Sequence, residues 1–169
     1  MSLTLDLARI ALQEERLQFD RFDATAAWEI GSRLKAAAEA RGLSAAFDIA
    51  LNGGATLFFF AMPGTTPDNI DWIRRKKNVV ARFQRSSYAV GLELRQKNTS
   101  LPALIGVDER DYAPHGGCFP IKLRGTGCVG AITVSGLPQR QDHALVIEVL
   151  AAYLNQPLDE LALDEVDPP

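Results

Sequence analysis

The residue types able to do chemistry in this chain are few, and most of them fall between Lys76 and His143. On a helical wheel for Ile70 to Arg85, at about 100° per residue, Trp72, Ile73, Val79, Val80 and Phe83 form one apolar arc with Lys76 in its middle. A lysine there must snorkel out, give up its proton or meet a carboxylate. One reading pairs it with Asp48, set between small alanines in a strand-like run; the other makes it the anchor of an acidic ligand. Arg74, Arg75, Lys77, Arg82 and Arg85 lie outside the arc and read as a solvated face.

Asp142 and His143 follow Gly136 and Pro138 at the start of a helical pattern, where backbone N–H groups can receive an anion. Asp142 also suits that end as a plain favourable charge. His143 has the chemistry for proton transfer near neutrality or for metal ligation, although most single histidines do neither. Neighbours on a helix point about 100° apart, so the two are poorly placed to act on one atom together. His115 stands beside Gly116 and Gly117, where a glycine loop could present it as an axial ligand or leave it an ordinary loop residue.

Other patterns lead away from catalysis. Gly125-Thr126-Gly127-Cys128-Val129-Gly130 fits GxGxxG, but the β-branched run that follows reads as strand, and the dinucleotide fingerprint needs a helix there. The plain reading is a hairpin turn. No nucleophile elbow, HExxH or Walker loop is present, and Ser135, His143 and Asp142 do not by themselves make a triad.

The elements that must position these residues can be read in order. Ser2 and Thr4 offer caps to a first helix ending near Leu17; Asp23 or Thr25 caps a second that Gly42 closes. From Ser44 the apolar period changes to two, and Asn52-Gly53-Gly54 turns one strand into another over Ala55 to Met62. Because LFFFAM is apolar on both faces, that second strand is expected to be covered on both sides. Thr66 and Pro67 open the helix that carries Lys76, Ser86-Ser87 interrupts it, and Tyr88 to Gln96 resumes it. Asn98 to Pro114 reads as irregular. Phe119 to Leu123 alternates, with Pro120 best tolerated at a sheet edge, and Cys128 to Ser135 returns. Cys118 and Cys128 flank this hairpin. After Pro157 the chain is acidic and ends in Pro168-Pro169, for which a short helix and then fraying are expected.

With 169 residues, one domain spanning 1–169 with an acidic tail from 157 is expected, and the net charge of −3 makes nucleic acid a poor partner. The first eighteen residues mix charges with leucines and show no signal-peptide pattern; the longest apolar run is far shorter than the roughly 20 residues that span a bilayer. A cytoplasmic protein with no membrane contact is the expectation. Two cysteines exclude a disulfide-dense scaffold, and two histidines without a CxxC make a structural zinc site improbable.

Several stretches together resemble the GlcG/HbpS-like, or haem-degrading domain, family, closest to its bacterial and fungal branch. They are Gly116-Gly117, Phe119-Pro120-Ile121, Val129 to Gly136, Asp142-His143, FFAMPGTTPDN from Phe59 to Asn69, Trp72 to Lys76 and Ser86-Ser87. The resemblance implies an α/β (α+β) fold with a profilin-like three-layer α/β/α core around a five-stranded antiparallel sheet. It implies self-association into homodimers or larger rings, and haem or another tetrapyrrole as ligand; no family haem ligand maps onto a residue of this chain.

Taken together, the sequence leads to a homo-oligomeric small-ligand-binding domain. Its haem or other acidic planar ligand would sit near Lys76, His115, Gly116, Gly117, Gly136, Asp142 and His143. The rival is a non-enzymatic oligomeric scaffold or protein-interaction module, motivated by the apolar FFF strand with no catalytic constellation around it.

Overall fold

A computed structural model describes residues 2–166. Its elements are α1 (Leu3–Arg16), α2 (Ala24–Ala40), β1 (Ala46–Leu51), β2 (Thr56–Ala61), α3 (Pro67–Phe83), α4 (Ser87–Gln96), α5 (Leu101–Ile105), β3 (Cys118–Leu123), β4 (Gly127–Ser135), α6 (Gln139–Tyr153) and α7 (Leu158–Leu161). The boundaries have local causes. Ser2 accepts from the Leu5 N–H and Asp23 from the Ala26 N–H, so α1 and α2 start with a satisfied donor. Pro67 occupies the first turn of α3, where its missing N–H costs nothing, and the Asn69 side chain accepts from the Thr66 N–H.

The four strands pair antiparallel in the order β2-β1-β4-β3. The five-stranded sheet implied by the family resemblance is therefore corrected to four. Where a fifth strand would flank β3, the chain after α1 makes a single parallel bridge: the Phe19 N–H donates to the Lys122 carbonyl and the Phe19 carbonyl accepts from Arg124. The stretch before β3 supplies no strand either: α5 ends at Gly106 in the left-handed conformation, and residues 107–117 run as turns and irregular chain.

Strand register sorts the side chains into two unlike faces. Phe47, Ile49, Phe119, Ile132 and Val134 share one face and, with Ile30 and Leu34 of α2 and Val146 and Leu150 of α6, make the main core. Asp48, Thr133 and Cys118 lie in one row on the other face, under α3. That face is small and polar, so a helix can approach closely enough to set functional groups against the ends of the strands.

β2 departs from its sequence expectation. It is an edge strand covered on one side only: Phe58 is buried while Phe59 is 44% exposed, because α3 packs over β4 and β3 and leaves β2 open. Phe58 packs so tightly on α2 that a Cβ at Gly31 would lie 2.4 Å from its ring. Register also separates the two cysteines: Cys118 faces Thr133 and Cys128 faces Lys122, and both are free thiols.

The tail is tied down more than its composition implies. α7 returns to α1, Leu161 is fully buried, and its carbonyl accepts from Gln13 Nε2 at 2.7 Å. The expected fraying at Pro168-Pro169 lies outside the described residues. Among the described residues no helix is long and apolar enough to cross a membrane.

Candidate functional site

Lys76 lies on the inward face of α3, 3% exposed, and projects to the end of β4 where the chain turns into α6. Its Nζ donates to Asp142 Oδ2 at 3.0 Å and to the Val134 carbonyl at 3.1 Å. An ammonium carries three donors, and the third has no protein acceptor among the described residues. The pairing with Asp48 read from the sequence is not formed. Asp48 instead meets Lys77, Nζ to Oδ1 at 3.0 Å, as an ion contact too poorly directed to satisfy that oxygen's hydrogen bonding. The reason is helical geometry: adjacent lysines diverge by about 100°, so Lys77 reaches over β1 while Lys76 reaches the carboxylate of α6.

Asp142 is held from both sides. Its Oδ1 accepts from the Leu137 N–H at 3.0 Å, and its Oδ2 takes the lysine. Burial pushes its pKa up to about 6, against the opposing pull of the Lys76 ammonium and of the Leu137 and Gly136 N–H groups.

The glycines make room for this pair. At Gly117, with φ +125°, a Cβ would come within 2.3 Å of the Val134 carbonyl, 2.8 Å of Lys76 Nζ and 3.0 Å of Asp142 Cβ. At Gly116 it would stand 2.1 Å from the Gln139 carbonyl, so the β3 approach and the start of α6 touch backbone to backbone.

A cavity of about 280 Å³ opens beside the pair, lined among others by Trp72, Lys76, His115, Gly136, Gln139 and Asp142. The His115 ring is exposed and meets Trp72 edge-on, with ring centroids 5.2 Å apart. Desolvation, then the charges of Lys76 and Arg75, lower its pKa below the ordinary histidine value. The Arg75 guanidinium lies 4.4 Å from the centre of the Trp72 ring, so that indole is fixed between a cation and an imidazole.

Of the residues read from the sequence, Lys76, His115, Gly136 and Asp142 surround this cavity, whereas Gly116, Gly117 and His143 do not. His143 is buried on another side of α6, against Tyr88 and Phe119, with its Nε2 2.8 Å from Gln13 Oε1. Gln13 spends its Nε2 on the Leu161 carbonyl, so its oxygen faces the ring and His143 is the Nε2–H tautomer. Its Nδ1 lacks a hydrogen-bond partner among the described residues, and burial, aided by Arg140, pushes its pKa down to about 3. It is a neutral core histidine.

Sequence reasoning missed Trp72, Ser135 and Gln139 as wall residues. Trp72 was visible only as one member of an apolar arc, and nothing marks Gln139 except its place after Pro138 at a helix start. Among the described residues no three His, Cys, Asp or Glu side chains cluster as metal ligands.

Residues 22–151 match the family model described as haem degrading protein HbpS-like. A UPF0303 protein of Azotobacter vinelandii is 60% identical over 166 residues, 98% of this chain and 99% of that protein. Among solved structures, the Ybr137w protein is 30% identical with a TM-score of 0.82, covering 88% of this chain and 87% of the other. HbpS superimposes with a TM-score of 0.62 at 21% identity, over 81% of this chain and 92% of its own, a likeness of fold.

Proposed function

Because the chain belongs to the HbpS-like haem degrading protein family, we propose that it is a small-ligand-binding domain, working as a homo-oligomer, that receives an acidic ligand at Lys76. The observation that carries this reading is the Lys76 ammonium itself: enclosed, on the wall of a cavity, and with one donor left over. A carboxylate or similar anion entering there would complete its coordination. Protonation of Asp142, whose pKa lies at about 6, would free the lysine further for the incoming charge.

The family description brings haem forward as the ligand, and the residues fit it in part. His115 has an exposed imidazole on the cavity wall able to ligate iron, and Lys76 can meet a propionate. The volume fits less well, since about 280 Å³ is at the lower end of ligand pockets, roughly 300–1,000 Å³, and a whole macrocycle needs more. The acid end or one edge of a tetrapyrrole is what this cavity accommodates.

Titration of the purified protein with haem, followed in the Soret region beside His115→Ala, tests the haem reading. A saturable, red-shifted band that weakens in the variant is expected; a featureless titration would remove haem while leaving acid binding open. A second reading, an oligomeric scaffold or interaction module, draws support from the open β2 edge, where Trp28, beside Phe58 on one face of the sheet, is 66% exposed and Phe59 on the other face is 44% exposed. Light scattering should give a mass above one chain; a stable monomer would count against the oligomer in both readings.

A further inference from the structure

A second cavity of about 310 Å³ lies on the other side of His115 and Gln139, which line both. The walls differ in chemistry. The first cavity has Lys76 and Asp142; the second sets Leu92, Leu94, Leu101 and Tyr112, from α4, α5 and the loop before β3, beside Arg75, Arg95 and Glu109. We infer that the two form one bipartite site for an arylalkanoic acid, its carboxylate on Lys76 and its ring in the apolar compartment beyond His115. This rests on the acid-binding reading of Lys76 and narrows its ligand class.

The partition is built to yield on one side. The backbone of His115 is anchored: its carbonyl accepts from Ser87 Oγ at 2.5 Å and its N–H donates to the Ala113 carbonyl at 2.8 Å. Its ring has no hydrogen bond among the described residues and rests edge-on against Trp72. A χ1 turn of that exposed ring joins the compartments without moving the chain. Gln139 is the fixed side, since its Oε1 accepts from the Gly116 N–H at 3.2 Å.

Neither compartment alone suits such an acid. The first offers a cation and little apolar surface, so it would hold a small anion weakly. The second offers apolar walls, and its cations are engaged or exposed: Arg75 donates to the Glu109 carbonyl and stacks on Trp72, and Arg95 lies at the exposed surface. An acid with an aromatic ring and a short linker uses both, and its ring is the kind of group Tyr112 and Pro114 can flank.

The probes are acetate, phenylacetate and 4-phenylbutyrate, with 4-phenylbutanol as the uncharged control. They are titrated against Trp28→Phe protein so that Trp72 on the cavity wall is the sole fluorescent indole. Burying the ring should tighten 4-phenylbutyrate over acetate by at least about tenfold, with the alcohol far weaker than the acid. Thr99→Phe, which fills the second compartment from its rim, should bring the ratio of the two acid affinities close to one, and Pro102→Phe should do the same from another wall. Acids that bind with affinities independent of the ring would overturn the bipartite site and leave acid binding at Lys76 standing. If no acid binds, the acid reading of Lys76 falls, and the bipartite site with it.

Discussion

Lys76 and Asp142 show what one enclosed ion pair asks of its surroundings. The lysine is 3% exposed, and each partner's remaining hydrogen bonds go to backbone groups at the turn from β4 into α6. Removing one member leaves the other charge buried, which costs about 3–5 kcal/mol. Lys76→Met should therefore lower unfolding stability by about that much in urea titrations. Lys76→Met with Asp142→Leu should cost less than Lys76→Met alone, because no orphan charge remains; a double variant as unstable as the sum of the singles would show that the pair is not coupled. The sequence marked Lys76 by its place in an apolar arc. It could not choose the partner, because the choice between Asp48 and Asp142 depends on which strand end α3 overlies.

At the level of elements, packing of α2 on β2 is set by one glycine. A Cβ at Gly31 would meet the Phe58 ring at 2.4 Å, and no backbone strain is involved because Gly31 carries no positive φ. Gly31→Ala should destabilise by about 1–3 kcal/mol through overpacking, and Phe58→Leu in the same background should restore part of the loss; equal stability of Gly31→Ala and the parent would contradict the tight contact. The alternating strands and capped helices were legible because each depends on neighbours a few residues apart. The misread elements were β2, left half open by the position of α3, and α5, which stands in a stretch read as irregular; the short helix expected after Pro157 forms as α7, held by Gln13 and the core around Leu161.

Across the whole molecule, two adjacent residues give opposite dependences on pH. His143 is held at about 3, below the histidine model value of 6.5, so the unfolded chain binds the extra proton; its contribution is present above pH 6.5 and lost as pH falls toward 3. Asp142 is held at about 6, above the model value of 3.8, so the folded chain binds the proton; its contribution is present below pH 3.8 and lost as pH rises through 6. Between pH 6.5 and about 4.5, acidification should cost about 2 kcal/mol through His143. The gain through Asp142 over much of that range is about 2 kcal/mol. Relative to the parent, His143→Gln should flatten the loss of stability on acidification and Asp142→Asn should steepen it, as read by denaturant unfolding at a series of pH values. Parallel profiles in all three proteins would show that neither group is perturbed. The sequence by itself determined the helices other than α5, which forms inside a stretch read as irregular, the four strands, their hairpin partners and the anomaly of a lysine in an apolar arc, because periodicity, caps and turns are properties of short segments. Only the tertiary structure decided that Lys76 meets Asp142, that His143 turns into the core while His115 faces a cavity, and that Phe19 stands in for a fifth strand. Those outcomes follow from the register of β1 and β3 on β4 and the place of α3 above them, contacts between residues far apart in the chain that no local pattern encodes.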